Sequence, residues 1–273
     1  MKKIISAILI VAACYVFSYA EDGVVIPQPE TGTVAKQASA LETFRLTFDI
    51  NFALVNMKSA NDAMNDDTYV TGFGGAFTGI FDLGFAVTPF LYVGPRSGLV
   101  WCIPASFEHI YPAPELHPTD TINTKTNMDA SMIPIEAGAR LRFGVPFSEN
   151  TSFSIGAFGG LCIVNVANNV DVTNPASQKA SFVEKFSGIG LSGEISGALE
   201  FKLMKGVDFN VNAGYRAAGA AYVKQTEDAY YAFSGQTAVK VSSKDRILRN
   251  SAGTDISFDF SGLNFGVGIS LGL

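Results

Sequence analysis

The stretch Leu263-Asn264-Phe265-Gly266-Val267-Gly268-Ile269-Ser270-Leu271-Gly272-Leu273 decides the fold. Large apolar residues occupy every odd position, and glycine, asparagine or serine every even one. A period of two puts all the bulk on one face of a β-strand and leaves small or polar groups on the other. About eleven residues is the length a tilted strand needs to cross a bilayer. In lipid such a strand must belong to a closed sheet, because an open edge cannot be solvated there.

The same period recurs upstream. Eight strands are expected, spanning 44–52, 71–88, 90–102, 132–147, 151–166, 186–204, 207–223 and 255–273. The last loses its phase between Phe260 and Leu263. That slip predicts a bulge near Ser261-Gly262, or a boundary between a membrane part and an outer extension. Connections after the even strands are short: Thr88-Pro89, Ser148 to Asn150, and Lys205-Gly206. Those after the odd strands are long, covering 56–69, 103–131, 167–185 and 224–254. Short turns at one end and long loops at the other are the pattern of an all-β, up-and-down antiparallel eight-stranded transmembrane β-barrel, with both termini periplasmic. A soluble barrel of the same strand number would fill its polar face with Lys and Glu. Here that face is mostly Gly, Ser, Ala, Asn and Thr, which suits a crowded lumen.

Residues 1–20 read as a signal peptide. Met1-Lys2-Lys3 is a charged start, Ile4 to Phe17 an apolar core, and Ser18-Tyr19-Ala20 a small-x-small cleavage site. Val11-Ala12-Ala13-Cys14 offers an alternative, lipidation at Cys14. Residues 21–43 carry Pro27, Pro29 and Gly32 and read as a flexible periplasmic leader; 44–273 is the barrel. Removing Lys2 and Lys3 leaves 17 of the 19 basic residues against 25 acidic ones, a net charge of −8, which argues against nucleic acid as a partner. Apolar content is 48% and charged content 16%, as expected of a chain buried in itself or in lipid.

The charges of the polar face form the first candidate site. Arg45, Arg96, Arg140, Arg142, Lys202 and Arg216 stand against Asp49, Asp82, Glu136, Glu194, Glu200 and Asp208. Buried charges must pair, so a plugging ion-pair network is expected, with Arg140 and Glu194 meeting across the lumen. The fourth loop supplies recognition candidates: Tyr230, Tyr231, Phe233, Arg246 and Arg249, since aromatics and arginine dominate binding surfaces. His109 and His117, with Glu108 and Glu115, match no compact metal motif, and neither Ser106 nor Asp120 sits in a nucleophile motif. No cofactor, metal or catalytic centre is expected. Cys102 and Cys162 lie two strand spacings apart, too far for a disulfide, and are expected to be free buried thiols. Trp101 reads as an interface anchor and Tyr92 as a lumen residue.

With eight strands, alternating short and long connections and an apolar C-terminal strand, the chain resembles the small outer-membrane barrels. These are the transmembrane domain of the outer membrane protein A type, the opacity-type adhesins and the OmpX-like proteins. The resemblance covers Phe44 to Leu273, and Leu273 stands where such strands commonly end in Phe. No peptidoglycan-binding domain is expected after the barrel. The resemblance implies residence in the outer membrane of a diderm bacterium, with outer-membrane lipid and the barrel-assembly machinery (through the C-terminal strand) as partners. It also implies a structural or adhesin-like surface role toward an extracellular ligand or host surface; the alternative is a small pore or transporter for small or hydrophobic solutes.

Overall fold

In the computed structural model, residues 43–64, 69–112, 121–145, 148–234, 236–250 and 253–273 are described. The expected signal peptide and all of the expected leader except Thr43 lie outside them. The strands are β1 (Phe44–Val55), β2 (Tyr69–Thr71), β3 (Ala76–Thr88), β4 (Leu91–Cys102), β5 (Ala105–Pro112), β6 (Thr121–Val145), β7 (Ser148–Thr173), β8 (Lys179–Met204), β9 (Val207–Ala220), β10 (Lys224–Gln225), β11 (Ala229–Tyr231), β12 (Val239–Ser242), β13 (Phe258–Asp259) and β14 (Gly262–Gly272). A seven-residue helix, α1 (Lys58–Met64), follows β1. Among the described residues no helix is long and apolar enough to cross a membrane.

Eight of these strands close a ring in the order β1-β3-β4-β6-β7-β8-β9-β14, every pair antiparallel. The stretch Leu263–Leu271 makes the closure, pairing with β1 on one side and β9 on the other. From Phe48, registered partners run through Phe81, Ser97, Ile135, Leu161, Leu191 and Gly219 to Asp259. Phe48 itself pairs with Ile269. The circuit thus returns ten residues from where it left, between positions 259 and 269. That stagger tilts the strands against the barrel axis, and eight strands so tilted enclose a space that side chains fill.

Alternation then sorts the residues. Odd positions from β3 to β9 point outward and form an apolar belt: Phe81, Ile135, Leu161, Ile195 and Val211 are all exposed, Phe81 by 55%. On β6 the belt runs from Phe143 to Ile133, about 33 Å of strand at ~3.3 Å per residue. At a tilt of roughly 40° this spans about 25 Å of axis, the height of a lipid-facing band. Exposed Phe85, Phe90, Phe143, Phe153 and Phe201 rim its short-turn end.

The far end differs from the expectation of four long loops. Segments 103–131 and 167–185 are mostly sheet: β5 pairs with β6, and β7 with β8 as far as Thr173 and Lys179. Only Asn174 to Gln178 turns the chain there, tied by reciprocal bonds between the Asn174 and Gln178 side chains and backbones. β6, β7 and β8 therefore stand above the belt as a wing, while β9 and β14 stop lower. β3 begins at Ala76 rather than Thr71, and Phe73 is buried at the barrel mouth.

No bulge interrupts the last strand. β13 and β14 pair with β9 in one continuous register, Phe258 with Ala220 and Gly262 with Arg216. Phe258, Phe260 and Asn264 all point inward. What changes at Ser261-Gly262 is the chemistry of the interior.

Candidate functional site

The interior has two zones. Toward the short turns it is charged. Arg45 reaches across from β1 to Glu200 on β8 at 3.0 Å and to Asp208 on β9 at 2.7 Å. Arg142 grips the same two carboxylates at 2.7 Å each, and Ser152 bonds to Glu200 at 3.2 Å. Two guanidinium groups thus share two carboxylates, a balanced cluster in which Glu200 Oε2 and Asp208 Oδ2 each meet more than one donor. One step further in, Arg140 pairs with Asp82 at 2.9 Å and reaches Thr47, whose hydroxyl contacts that of Ser270.

The third layer centres on Glu194. It accepts from Arg96 at 2.6 Å, from Arg216 at 2.6 Å and from Asn264 at 3.2 Å. Arg216 is its registered neighbour on β9, whereas Arg96 comes from across the lumen on β4. Glu136 faces Arg96 at 4.0 Å and accepts from Ser192. The Arg96 guanidinium also lies 4.6 Å from the centre of the Phe158 ring, so its face is covered as well as the Nη2 edge that Glu194 holds.

Glycine makes the room for these long side chains. Arg45 pairs in register with Gly84 and Gly272, which present no bulk beside it. A Cβ on Gly138 would sit 2.7 Å from the Phe158 ring, and one on Gly156 2.8 Å from it. What remains is small. One void between Asp49, Asn51, Arg96, Arg140 and Glu194, and another between Arg45, Tyr92, Arg140 and Phe158, each measure about 10 Å³, room for about one water.

Above this network the interior is apolar. Val100, Cys102, Ala130, Met132, Cys162, Val164, Phe186, Ala220, Phe258 and Phe260 pack together, and Met57, just before α1, packs against them with Ala60 and Met64 of α1 as a cap. Asn61 fixes the cap to the mouth, donating to the Phe73 carbonyl at 2.9 Å and accepting from the Phe73 amide at 2.8 Å. Met57, Ala60 and Met64 repeat at helical spacing, a signal present in the stretch expected to be an irregular loop.

Of the twelve expected lumen charges, Arg142 is partly buried and the others are buried, with the exception of Lys202. That residue is exposed near the β8–β9 turn, where the barrel opens. The expected Arg140–Glu194 pair is replaced by Arg140–Asp82 and by Arg96–Glu194–Arg216. Strand phase placed these residues on one face, but phase alone does not give the height offset that the stagger adds between strands. Cys102 and Cys162 are free and buried, Tyr92 is in the lumen, and Trp101 is exposed at the upper edge of the belt.

The recognition candidates of the fourth loop are largely engaged within the chain. β11 and β12 form a hairpin that leans on the wing, with Tyr231 6.2 Å from Phe182 and 5.6 Å from Phe233 between ring centroids. Arg246 pairs with Glu184 and Arg249 with Asp255. Of the five, Tyr230 and Arg249 remain the most exposed. Among the described residues no three His, Cys, Asp or Glu side chains converge as a metal set. His109 falls in β5 rather than in a loop, its backbone registered with Thr124. Its side chain, His117 and Asp120 lie outside the described residues.

No family model matches the chain, and no curated protein matches it. Among solved structures it is similar to Neisserial surface protein A, with a TM-score of 0.32 and 12% identity, over 85% of this chain and 97% of that one.

Proposed function

We propose that the chain is an outer-membrane surface protein of a diderm bacterium, exported by its N-terminal signal and anchored by a barrel whose lumen does not conduct. The observation that carries this reading is the filled interior. Three layers of paired charges lie in series with an apolar core capped by α1, and the voids beside the charges have room for about one water each. The exposed apolar belt supports burial in lipid, since a monomer in water rarely shows so large an apolar patch. Activity then resides in what stands outside the belt, the β6–β8 wing and the hairpin leaning on it, as a surface for an extracellular ligand or host structure. The C-terminal strand closes the ring and is the natural handle for assembly machinery, because its pairing with β1 removes both edges.

Purified protein in planar bilayers tests the closed lumen. Baseline current across a wide voltage range is expected. Steady, resolved conductance steps would reject the anchor and favour a small pore or transporter.

A further inference from the structure

We infer that a groove on the outside of the barrel wall, at the upper edge of the belt, binds the uncharged sugar headgroup of a glycolipid. This rests on the membrane reading above. The groove has a volume of about 250 Å³ and is walled by Trp101, Asp129, Ser131, Asn165 and Lys185. Register explains how these meet. Trp101 on β4 pairs with Ser131 on β6, and Ser131 with Asn165 on β7; one row higher, Asp129 pairs with Ala167 and Ala167 with Lys185 on β8. The patch crosses four strands, or about 14 Å at ~4.8 Å per strand spacing. Its floor is low because Ser131 and Ala167 are small, and its ends are tall because Trp101 and Lys185 are large.

Depth and chemistry select the occupant. Two residues toward the short turns, the outward row is Ile133, Ile163 and Ile189, so the groove begins where acyl chains end. A headgroup is what occupies that level. The volume lies below the roughly 300–1,000 Å³ of sites for drug-sized ligands and suits one or two rings. Trp101 offers an electron-rich face to the C–H side of a pyranose ring. Asp129, Ser131 and Asn165 offer a carboxylate, a hydroxyl and an amide to its hydroxyl groups, the mixed donors and acceptors that fix a sugar's orientation. Asp129 is itself held in place by the Asn169 amide at 3.0 Å. An anionic headgroup is disfavoured, because Lys185 is already paired with Glu227 at 2.9 Å and Asp129 adds a negative charge.

Trp101 is the single tryptophan of the chain, so its fluorescence reports on this groove alone. The experiment places the full protein in phosphatidylcholine nanodiscs with increasing monogalactosyl diacylglycerol. A saturable blue shift of emission is expected, absent with phosphatidylglycerol and absent when methyl galactoside is added in solution to plain nanodiscs. Asn165→Leu or Asp129→Asn each removes a partner for a sugar hydroxyl and is expected to raise the half-saturating glycolipid fraction about tenfold. A shift that the glycolipid does not produce, or that both variants retain unchanged, overturns the site and leaves Trp101 a membrane-interface anchor only. An equal shift with phosphatidylglycerol, or a shift with methyl galactoside alone, overturns the glycolipid as its source. Phosphatidylcholine brominated along its acyl chains separates the two readings. Quenching of Trp101 with no glycolipid response rejects the groove alone, and no quenching rejects the membrane placement itself.

Discussion

Arg96 on β4 and Glu194 on β8 meet at 2.6 Å across the lumen, although two strands of the wall, β6 and β7, separate theirs. Such a contact staples opposite sides of the barrel and fills the space between them. Glu194 also holds Arg216, so removing its carboxylate leaves two buried guanidinium groups short of their principal acceptor. Glu194→Ala is expected to cost about 3–5 kcal/mol, the range for breaking a buried pair. Unfolding in detergent or lipid, followed by the shift in electrophoretic mobility between folded and unfolded barrel, measures it. Water lining a pore would screen the charges and make the loss small.

The belt predicts a depth-dependent response to charge. Ile135 and Asn123 both point outward on β6, but Ile135 lies within the belt and Asn123 on the wing. Ile135→Arg is expected to lower folding stability by about 2–4 kcal/mol, against about 0–1 kcal/mol for Asn123→Arg. Refolding yields into bilayers compare the two directly. Equal tolerance would place both residues in water.

How much of this was legible in the sequence depends on what period-two patterning carries. Patterning separated Phe81 from Asp82 and Ile195 from Glu194, so the two faces and the strand count could be read directly. It carried no stagger, and so paired Arg140 with the wrong carboxylate. Tall strands were hidden as well. Thr121–Ala130 and Ala167–Thr173 carry polar residues such as Asn123, Lys125, Asp129, Asn169 and Asp171 on their outer face, so the polar-apolar contrast that marks a membrane strand fades there. Phe258 and Phe260 suggested a slipped phase because they point inward, into the apolar interior beneath the α1 cap, whereas the apolar residues of Leu263–Leu271 point outward. The cap itself was written in Met57, Ala60 and Met64, three residues too few to stand out from a loop.

The outer hairpin is expected to loosen in acid. Asp228 accepts from the Lys240 ammonium at 2.8 Å and from the Lys244 amide at 2.7 Å. These bonds hold its carboxyl below the ordinary carboxylate value and, reciprocally, push Lys240 up. A lowered acid contributes stability that is present above its unfolded pKa, about 3.9, and is lost as pH falls through the lower folded value. The raised Lys240 contributes below its own unfolded value, about 10.4, and loses that contribution as pH rises through the higher folded one. Hydrogen exchange across Ala229 to Ser242 is therefore expected to be flat, after correction for intrinsic rates, from about pH 5 to 9 and to quicken below about pH 4. Asp228→Asn should show the fast exchange already at neutral pH. Both groups are exposed, so high salt should shrink the effect.

Orientation in the membrane can be read with thiols, because Cys102 and Cys162 are buried and silent. Thr237 sits in the connection between β11 and β12, Ala176 in the β7–β8 turn, and Lys205 in the β8–β9 turn; all three are exposed. The β8–β9 turn is tight: Gly206 has φ of +75°, and its carbonyl accepts from the Gly272 amide at 2.9 Å. A cysteine at Lys205 leaves that glycine, and hence the left-handed turn, intact. A bulky maleimide that cannot pass the outer membrane is expected to label Ala176→Cys and Thr237→Cys on intact cells. Lys205→Cys should react only after the membrane is breached, since in the proposed orientation the short turns face the periplasm. Labelling of Lys205→Cys on intact cells with none at Thr237→Cys would invert the barrel, and labelling at all three would remove it from the membrane.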